Sequence, residues 1–431
     1  MKDLAARNGG RVGLVALAAI LLLGLGLRSG DAWEGRAPVY DAAAYATIAA
    51  NLERGEGFTL GRAATQPASN YSPGLPLLAG GIYALSGGVH ERLARVILAL
   101  IGSLSVLFAY LIGRRLSGPL AGLIGSAAVA VYPALLEYQG MLMSEPLAAT
   151  LLSGAVVAML WADDGGSHRR WLVPGLLLGA LALTRPEYVA ISLPIAVAVL
   201  ARHGWDGWRD GLVQAIVLLV GLAVVVAPWA VRNAVALDRF VPVSTGGGQV
   251  LFSGSYLPSG GDPERVGEEV LERHPGLKSQ LPEDPRLEQI LAALALQRYP
   301  RLETDAALAR MGRERLWGAV VDEPLDYAGF VAAKVWRIWT LGQRDVMGQP
   351  VWRALHWVLV ALGLLGLGLL VAQRRWEALL IGTVLLAVTA TGALLVASPR
   401  RVLVTVPVVA ALAGAATTWI VRACIGPRRS I

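Results

Sequence analysis

Long apolar runs, broken at intervals by charged residues, dominate this chain. Runs of about 15–22 such residues are long enough to cross a bilayer as helices, which commits the chain to an all-α polytopic membrane fold. Ten spans are expected, at approximately 12–28, 93–113, 118–134, 146–162, 171–185, 187–201, 211–230, 351–372, 376–397 and 402–421. Composition agrees, with 55% hydrophobic and 16% charged residues, against roughly a quarter charged in soluble domains. That balance excludes a cytosolic enzyme, and it excludes disorder, which needs low hydrophobicity and high net charge.

The net charge of +7 raises nucleic acid as a partner, but the charges are sorted by side. With both termini cytoplasmic, the inner side collects Lys2, Arg7, Arg11, Arg114, Arg115, Arg169, Arg170, Arg202, Arg209, Arg374, Arg375, Arg422, Arg428 and Arg429. Its acids are only Asp3, Asp163, Asp164, Asp206, Asp210 and Glu377, and the outer side is close to neutral. This is the ordinary orientation signal of an inner (plasma) membrane protein, and no nucleic-acid partner is needed to explain it. The basic start and short apolar run of the first span also fit a cleaved signal peptide. Residues 28–35 are not a clean small-residue cleavage site, and the chain beyond starts outside in either case. With Cys424 as the single cysteine, no disulfide or cysteine–metal framework can form.

The expected organisation is a transmembrane core over 1–250, including a first extracytoplasmic loop at 29–92. An extracytoplasmic segment follows at 251–350, and C-terminal spans occupy 351–431. The polar stretch 258–326 carries helical runs near 286–298 and 302–321. After it, 324–341 mixes Lys334 and Arg337 with Trp336 and Trp339, which suits a helix lying in the outer interface. Leu75 to Leu85 is apolar but too short to span, so it is re-entrant or interfacial. The spans are nearly free of ionisable groups at mid-depth, which counts against ion-coupled transport. Lys2, Lys278 and Lys334 sit in no Walker A loop, and the dispersed His90, His168, His203, His274 and His356 make no zinc spacing.

Three constellations cluster on the outer side. Asp41 opens an alanine-rich helix with Tyr45 one turn on, on the same face. Asp41 is either a helix N-cap or a surface carboxylate acting as general base, with Tyr45 orienting it or the substrate. Ser144-Glu145-Pro146 opens the fourth span. Ser144 or Glu145 could cap it, with Pro146 in the first turn, or Glu145 could face a polar cavity, since an acid near lipid is otherwise costly. The third set is basic: Arg185 ends the fifth span, Arg232 and Asn233 end the seventh, and Arg400 and Arg401 open the tenth. Arg185 could snorkel at a helix C-terminus. Arg400 and Arg401 defy both the positive-inside bias and the N-terminal dipole, which implies an anionic partner, either an acid such as Glu145 or a bound lipid phosphate. A phosphate leaving group needs cations rather than an acid, whereas an acceptor hydroxyl needs a base. One aspartate with several arginines at the same face matches that division of labour.

Taken in order, the motifs resemble those of the GT-C glycosyltransferases, in the bacterial branch related to lipid A aminoarabinose transferase and the protein O-mannosyltransferases. The matching pieces are Asp41-x3-Tyr45-x2-Ile48-Ala49, Gly55-x-Gly57-Phe58, Pro73-Gly74-Leu75-Pro76, Ser144-Glu145 and Leu183-Thr184-Arg185-Pro186. Pro228-Trp229-x2-Arg232-Asn233, Phe240-Val241-Pro242-Val243-Ser244 and Arg401 before Pro407 complete the series. The resemblance implies that Asp41 is the catalytic carboxylate of the first loop and Glu145 the second acid of the cavity. Arg185 and Arg400 or Arg401 would hold the polyprenyl phosphate, with Arg232 as a further candidate. Some relatives carry a basic residue just before the proline-rich motif, where this chain has Asn70-Tyr71-Ser72.

The expectation is an inner-membrane glycosyltransferase of the cell envelope. It would move a hexosyl or pentosyl group from a polyprenyl-phosphate donor to a hydroxyl of a protein, lipid or polysaccharide acceptor. Asp41 and Glu145 could instead share Mg²⁺ or Mn²⁺, which prefer oxygen ligands. The alternatives are a lipid-linked sugar transporter or flippase, which calls for polar groups part-way along the spans, and a non-catalytic scaffold of envelope assembly.

Overall fold

The computed structural model describes residues 2–39, 41–61, 67–340 and 344–425. Tyr40, Arg428 and Arg429 lie outside them, as do the side chains of Lys2, Asp3 and Arg7. Among the described residues the fold is all-helical, without β-strands. The chain divides into two compact units: Met1–Val243 with Gln343–Leu385 and Leu403–Ile431, and Ser244–Gly342 with Leu386–Val402.

The first unit opens with α1 (Lys2–Glu34), α2 (Asp41–Glu53), α3 (Gly74–Ser86), α4 (Glu91–Ser117), α5 (Pro119–Ala130) and α6 (Pro133–Glu137). It continues with α7 (Ser144–Asp163), α8 (Leu172–Thr184), α9 (Glu187–Ala201) and α10 (Trp208–Leu237). Every apolar run read as a span is helical, but the helices differ in reach. Among the described residues, seven are long and apolar enough to cross a membrane, and the bent pair of α5 with the segment Pro133–Gly140, taken as one span, makes an eighth. The expected spans at 171–185 and 187–201 become helices of only 13 and 15 residues. At 1.5 Å per residue they reach about 20 Å, short of a hydrocarbon core of about 30 Å.

Prolines explain these interruptions, because proline lacks an amide donor and disfavours helix in the residue before it. Pro186 separates α8 from α9. Pro133 separates α5 from α6, bending the pair by 52°, so the expected span 118–134 is broken rather than continuous. Such a break frees carbonyls in an apolar surrounding. Arg28 of α1, only 1% exposed, donates to Val129 O at 2.9 Å and Ala130 O at 3.1 Å, so it caps the broken span. Around it, Val106, Ala109, Val129, Ala130 and Ala410 share one buried cluster.

Two expected boundaries move. Helix α10 runs on to Leu237, so Arg232 and Asn233 lie inside it rather than at its end. The C-terminal helices of this unit include α16 (Arg344–Met347), α17 (Pro350–Ala372) and α20 (Val406–Ile425). Because α20 begins at Val406, Arg400 and Arg401 do not open it. Both stand on α19 (Pro399–Leu403), a separate five-residue helix of the second unit. The dipole argument for an anionic partner therefore falls away, since one short turn carries no N-terminal field distinct from its C-terminal one.

The second unit holds α11 (Gly247–Gly254), α12 (Val266–Arg273), α13 (Leu287–Arg298), α14 (Thr304–Asp322), α15 (Pro324–Thr340), and α19 with the latter part of α18 (Trp376–Leu394). Helices α13 to α15 match the runs expected at 286–298, 302–321 and 324–341. A core of Phe252, Tyr256, Val270, Leu291, Leu294 and Leu308 holds this unit together. Lys334 of α15 is turned inward rather than outward. It is 1% exposed, beside a Trp336 that is 68% exposed. Its ammonium donates to Gly254 O at 2.7 Å and lies 4.9 Å from the Phe330 ring.

Burial, and secondarily the Arg401 guanidinium, push the Lys334 ammonium down to about 7 from an ordinary 10.5. Between those values the unfolded chain binds the extra proton, so stability rises with pH through that window. Thermal melts of the detergent-solubilised protein from pH 7 to 10 are expected to show this climb, and Lys334→Met to flatten it. An equal climb in the variant would assign the titration to another group.

Candidate active site

Helix α7 begins at Ser144 with Pro146 in its first turn, where the missing amide costs nothing. Neither Ser144 nor Glu145 caps it; the N-cap is Met143, with no side-chain bond. Glu145 is instead fully buried. The helix N-terminus favours a carboxylate there, but removing one from water is costly unless a cation compensates. Arg185 is that cation, with Nη1 3.4 Å from Glu145 Oε1.

Arg185 owes its position to Pro186. Helix α8 stops at Thr184, and Arg185 takes an extended conformation (φ −142°) while its amide still donates to Leu181 O at 2.7 Å. Its Nε donates to Glu187 Oε1 at 3.2 Å, and the Arg185 side chain is 13% exposed. One guanidinium thus spans two carboxylates from the starts of α7 and α9. This is not a snorkelling side chain. Glu187 escaped the sequence reading, although its place two residues beyond arginine across a helix-breaking proline was a usable signal.

Helix α2 begins at Asp41, which is half-buried, with Tyr45 buried one turn on. Tyr45 meets the Tyr71 ring edge-on, with centroids 5.9 Å apart. Tyr45 shares a buried cluster with Leu75, Leu142 and Leu147, and Ala42 shares another with Met143. The starts of α2 and α7, which carry Asp41 and Glu145, are therefore packed on common residues. Gly74 joins α3 to the same wall. A Cβ there would lie 2.5 Å from Thr184 Oγ1 and 2.9 Å from the Thr184 backbone, so only glycine lets α3 reach the residue beside Arg185.

The remaining first-unit motifs interlock around Arg232. Gly57, with φ +76°, turns the chain after α2 in a conformation that favours glycine and brings Phe58 edge-on to Trp229, at 4.9 Å. The Arg232 guanidinium stacks on Trp229 at 4.8 Å and lies 5.7 Å from Phe58. Trp229 Nε1 donates to Val243 O, and Asn233 Nδ2 to Val241 O and Val243 O, at 2.8–3.0 Å. The Pro-Trp-x2-Arg-Asn motif therefore latches the Val-Pro-Val strand of chain that follows α10. Sequence order placed these motifs in series without revealing that one holds the other.

Arg400 and Arg401 belong to the second unit, half-buried, where Arg401 Nε donates to Val396 O at 3.1 Å. The expected phosphate-binding arginines are thus shared between units, with Arg185 and Arg232 in the first. Among the described residues no three His, Cys, Asp or Glu side chains gather as a metal site.

Residues 70–231 match the model of the dolichyl-phosphate-mannose-protein mannosyltransferase family, a stretch shorter than half the chain. No curated protein matches. The chain superposes on the oligosaccharyltransferase AglB of Archaeoglobus fulgidus, solved with an inhibitory peptide and dolichol phosphate, with a TM-score of 0.57 and 17% identity. That match covers 97% of this chain and 52% of AglB, so the chain spans about half that enzyme's length. A second AglB structure, tethered to an acceptor peptide, gives a TM-score of 0.58 at 15% identity, covering 97% and 52%. ArnT of Cupriavidus metallidurans, bound to undecaprenyl phosphate, gives 0.43 at 16%, covering 91% and 77%. The protein has the GT-C fold. The superfamily resemblance read from its motifs is borne out, and the chain is a multi-pass membrane protein.

Two measurements check this geometry. A double-mutant cycle of Glu145→Gln and Arg185→Gln, read by thermal melts in detergent, is expected to give a coupling of about 1–3 kcal/mol. Additive effects would mean the pair is not formed. Gly74→Ala is expected to destabilise by about 1–3 kcal/mol through overpacking against Thr184; a neutral substitution would deny the close approach.

Proposed function

We propose that the protein is a glycosyltransferase of the inner (plasma) membrane that takes its sugar from a polyprenyl-phosphate donor and passes it to an extracytoplasmic hydroxyl. The observation that carries this reading is the buried Glu145–Arg185–Glu187 charge network packed beside the start of α2, in a chain of GT-C fold. A guanidinium and carboxylates concentrated in an otherwise apolar bundle suit a substrate with an anionic headgroup and a lipid tail.

Chemically, the acceptor hydroxyl is a poor nucleophile until a base relieves it of its proton. Asp41, half-buried at a helix start, is that base, and Tyr45, one turn on, orients it. As the acceptor oxygen bonds to the anomeric carbon, the bond from that carbon to the phosphate oxygen breaks and the phosphate leaves as an anion. Arginines stabilise it without a proton, with Arg185, Arg232, Arg400 and Arg401 as candidates. Glu145 holds Arg185 in place and limits its charge, so that binding and release of the phosphate are both possible. A single displacement of this kind inverts the anomeric centre. AglB was solved with dolichol phosphate, which supports a lipid-phosphate substrate for a chain of this fold. A divalent ion shared by Asp41 and Glu145 is a separate proposal, and no step above depends on it.

The test is sugar transfer from a polyprenyl-phosphate donor in proteoliposomes. Asp41→Asn is expected to lower the rate by about 10²- to 10⁴-fold, the usual worth of a general base, with the protein still folded. Transfer at the wild-type rate removes Asp41 from the mechanism, and lipid movement without transfer would favour a flippase. Activity that survives EDTA excludes the metal proposal, whereas loss restored by Mg²⁺ or Mn²⁺ supports it.

A further inference from the structure

Helix α15 presents the wrong face for a helix in water. Its buried stripe is Phe330, Lys334 and Ile338, spaced four apart, and it carries the only lysine of the helix. Lys334 donates to Gly254 O at 2.7 Å, and a Cβ on Gly261 would lie 2.8 Å from its Cγ. The chain opposite is therefore shaped around the lysine stem. Arg337, on the flank of that stripe, pairs with Asp262 at 3.0 Å. The other side of the helix carries Leu325, Ala328, Ala332 and Trp336, all exposed, uncharged and strung over about 17 Å. Leu325 is 86% exposed and Trp336 68%. Nearby charge lies off this stripe. The hollow lined by Asp322, Glu323 and Asp326 with Arg273 and Arg315 meets α15 along Gly329, Phe330 and Ala333. A helix between core and water does the reverse, burying its apolar stripe and leaving lysine outside.

An apolar face left out in this way calls for a cover, and the neighbouring helix shows which. Trp339 Nε1 donates to Thr389 Oγ1 at 3.1 Å, and a Cβ on Gly392 would lie 2.9 Å from Ile338 Cδ1. Both contacts fall in the last two turns of α18, one of the helices able to cross a membrane. At 19 residues α18 is about 28 Å long, so its ends lie at the edges of a hydrocarbon core of about 30 Å. The last turns of α15 are thereby held at the level of the bilayer surface. Trp336 stands there, and indole rings concentrate at that depth. An ordinary interfacial helix also turns its cations to the headgroups, whereas Lys334 and Arg337 are engaged within the second unit.

We propose that the stripe from Leu325 to Trp336 is a membrane-docking surface, seated on the lipid of the leaflet where α18 ends. The partner is the acyl-chain and glycerol region of the bilayer, and its recognition is apolar rather than ionic. This does not rest on the glycosyltransferase reading.

The experiment places single nitroxide labels in the full-length protein, in nanodiscs of phosphatidylethanolamine and phosphatidylglycerol. Cys424→Ser supplies the background, and Leu325→Cys, Ala332→Cys and Trp336→Cys place the label on the stripe. Glu288→Cys, at an exposed position of α13, is the water reference. Molecular oxygen concentrates in hydrocarbon while a neutral nickel chelate stays in water, so the ratio of their collisions with the label reads depth. That ratio is expected to be several-fold higher at 325, 332 and 336 than at 288. A ratio at any of the three equal to that at 288 puts the stripe in water and overturns the docking. Shielding from both reagents overturns it too, and dipolar broadening between labels would then name a second copy as the occupant. Should Trp336→Cys misfold, positions 325 and 332 carry the test. No sugar transfer is measured, so a protein inactive in transfer can still pass and an active one can still fail.

Discussion

A buried carboxylate in an apolar helical bundle is tolerable only beside a cation, and the pairing of Glu145 with Arg185 meets that demand. Much of the first unit is arranged so that this pair can form. Pro186 stops α8 one turn early enough to free Arg185 from helical geometry. Gly74 lets α3 close on Thr184, and the cluster around Leu142 and Leu147 packs the start of α7 against α2. Glu187 accepts from the same guanidinium, so two carboxylates share one cation.

Charge and broken helices recur together. Proline at 133 frees carbonyls that Arg28 takes up, and proline at 186 presents Arg185 to two acids. Past α10, Asn233 and Trp229 satisfy the carbonyls of Val241 and Val243 where the chain leaves the helix. The rule behind all three is that polar groups, backbone or side chain, must find partners where water is scarce. A membrane protein that needs polar chemistry can gather it at such breaks, where donors are already required. The second unit follows the ordinary logic of a small helical core, and its departure is Lys334, buried against a carbonyl.

Much of this was legible in the residues. Hydropathy located the long apolar helices of the described residues, since period and length are local properties, although it also read the short α8 and α9 as spans, and the runs at 286–298, 302–321 and 324–341 came out as α13, α14 and α15. Asp41 was visible as a helix start because an acid before an alanine run is a local signal. What escaped was partnership. Arg400 and Arg401 looked like the opening of a span, because the sequence does not show that Val404 and Thr405 interrupt the helix. Lys334 looked amphipathic beside its tryptophans, and only packing against Gly254 buried it.

The sequence by itself settled that the chain is helical and embedded in membrane, because apolar run length acts without reference to distant parts. Only the tertiary structure decided which acid meets which arginine, which glycine must be bare, and which motif latches another. Those choices rest on approaches of a few ångströms between segments 40 or more residues apart, such as Glu145 and Arg185. Contact energies fall away over such distances, while sequence spacing carries no record of them.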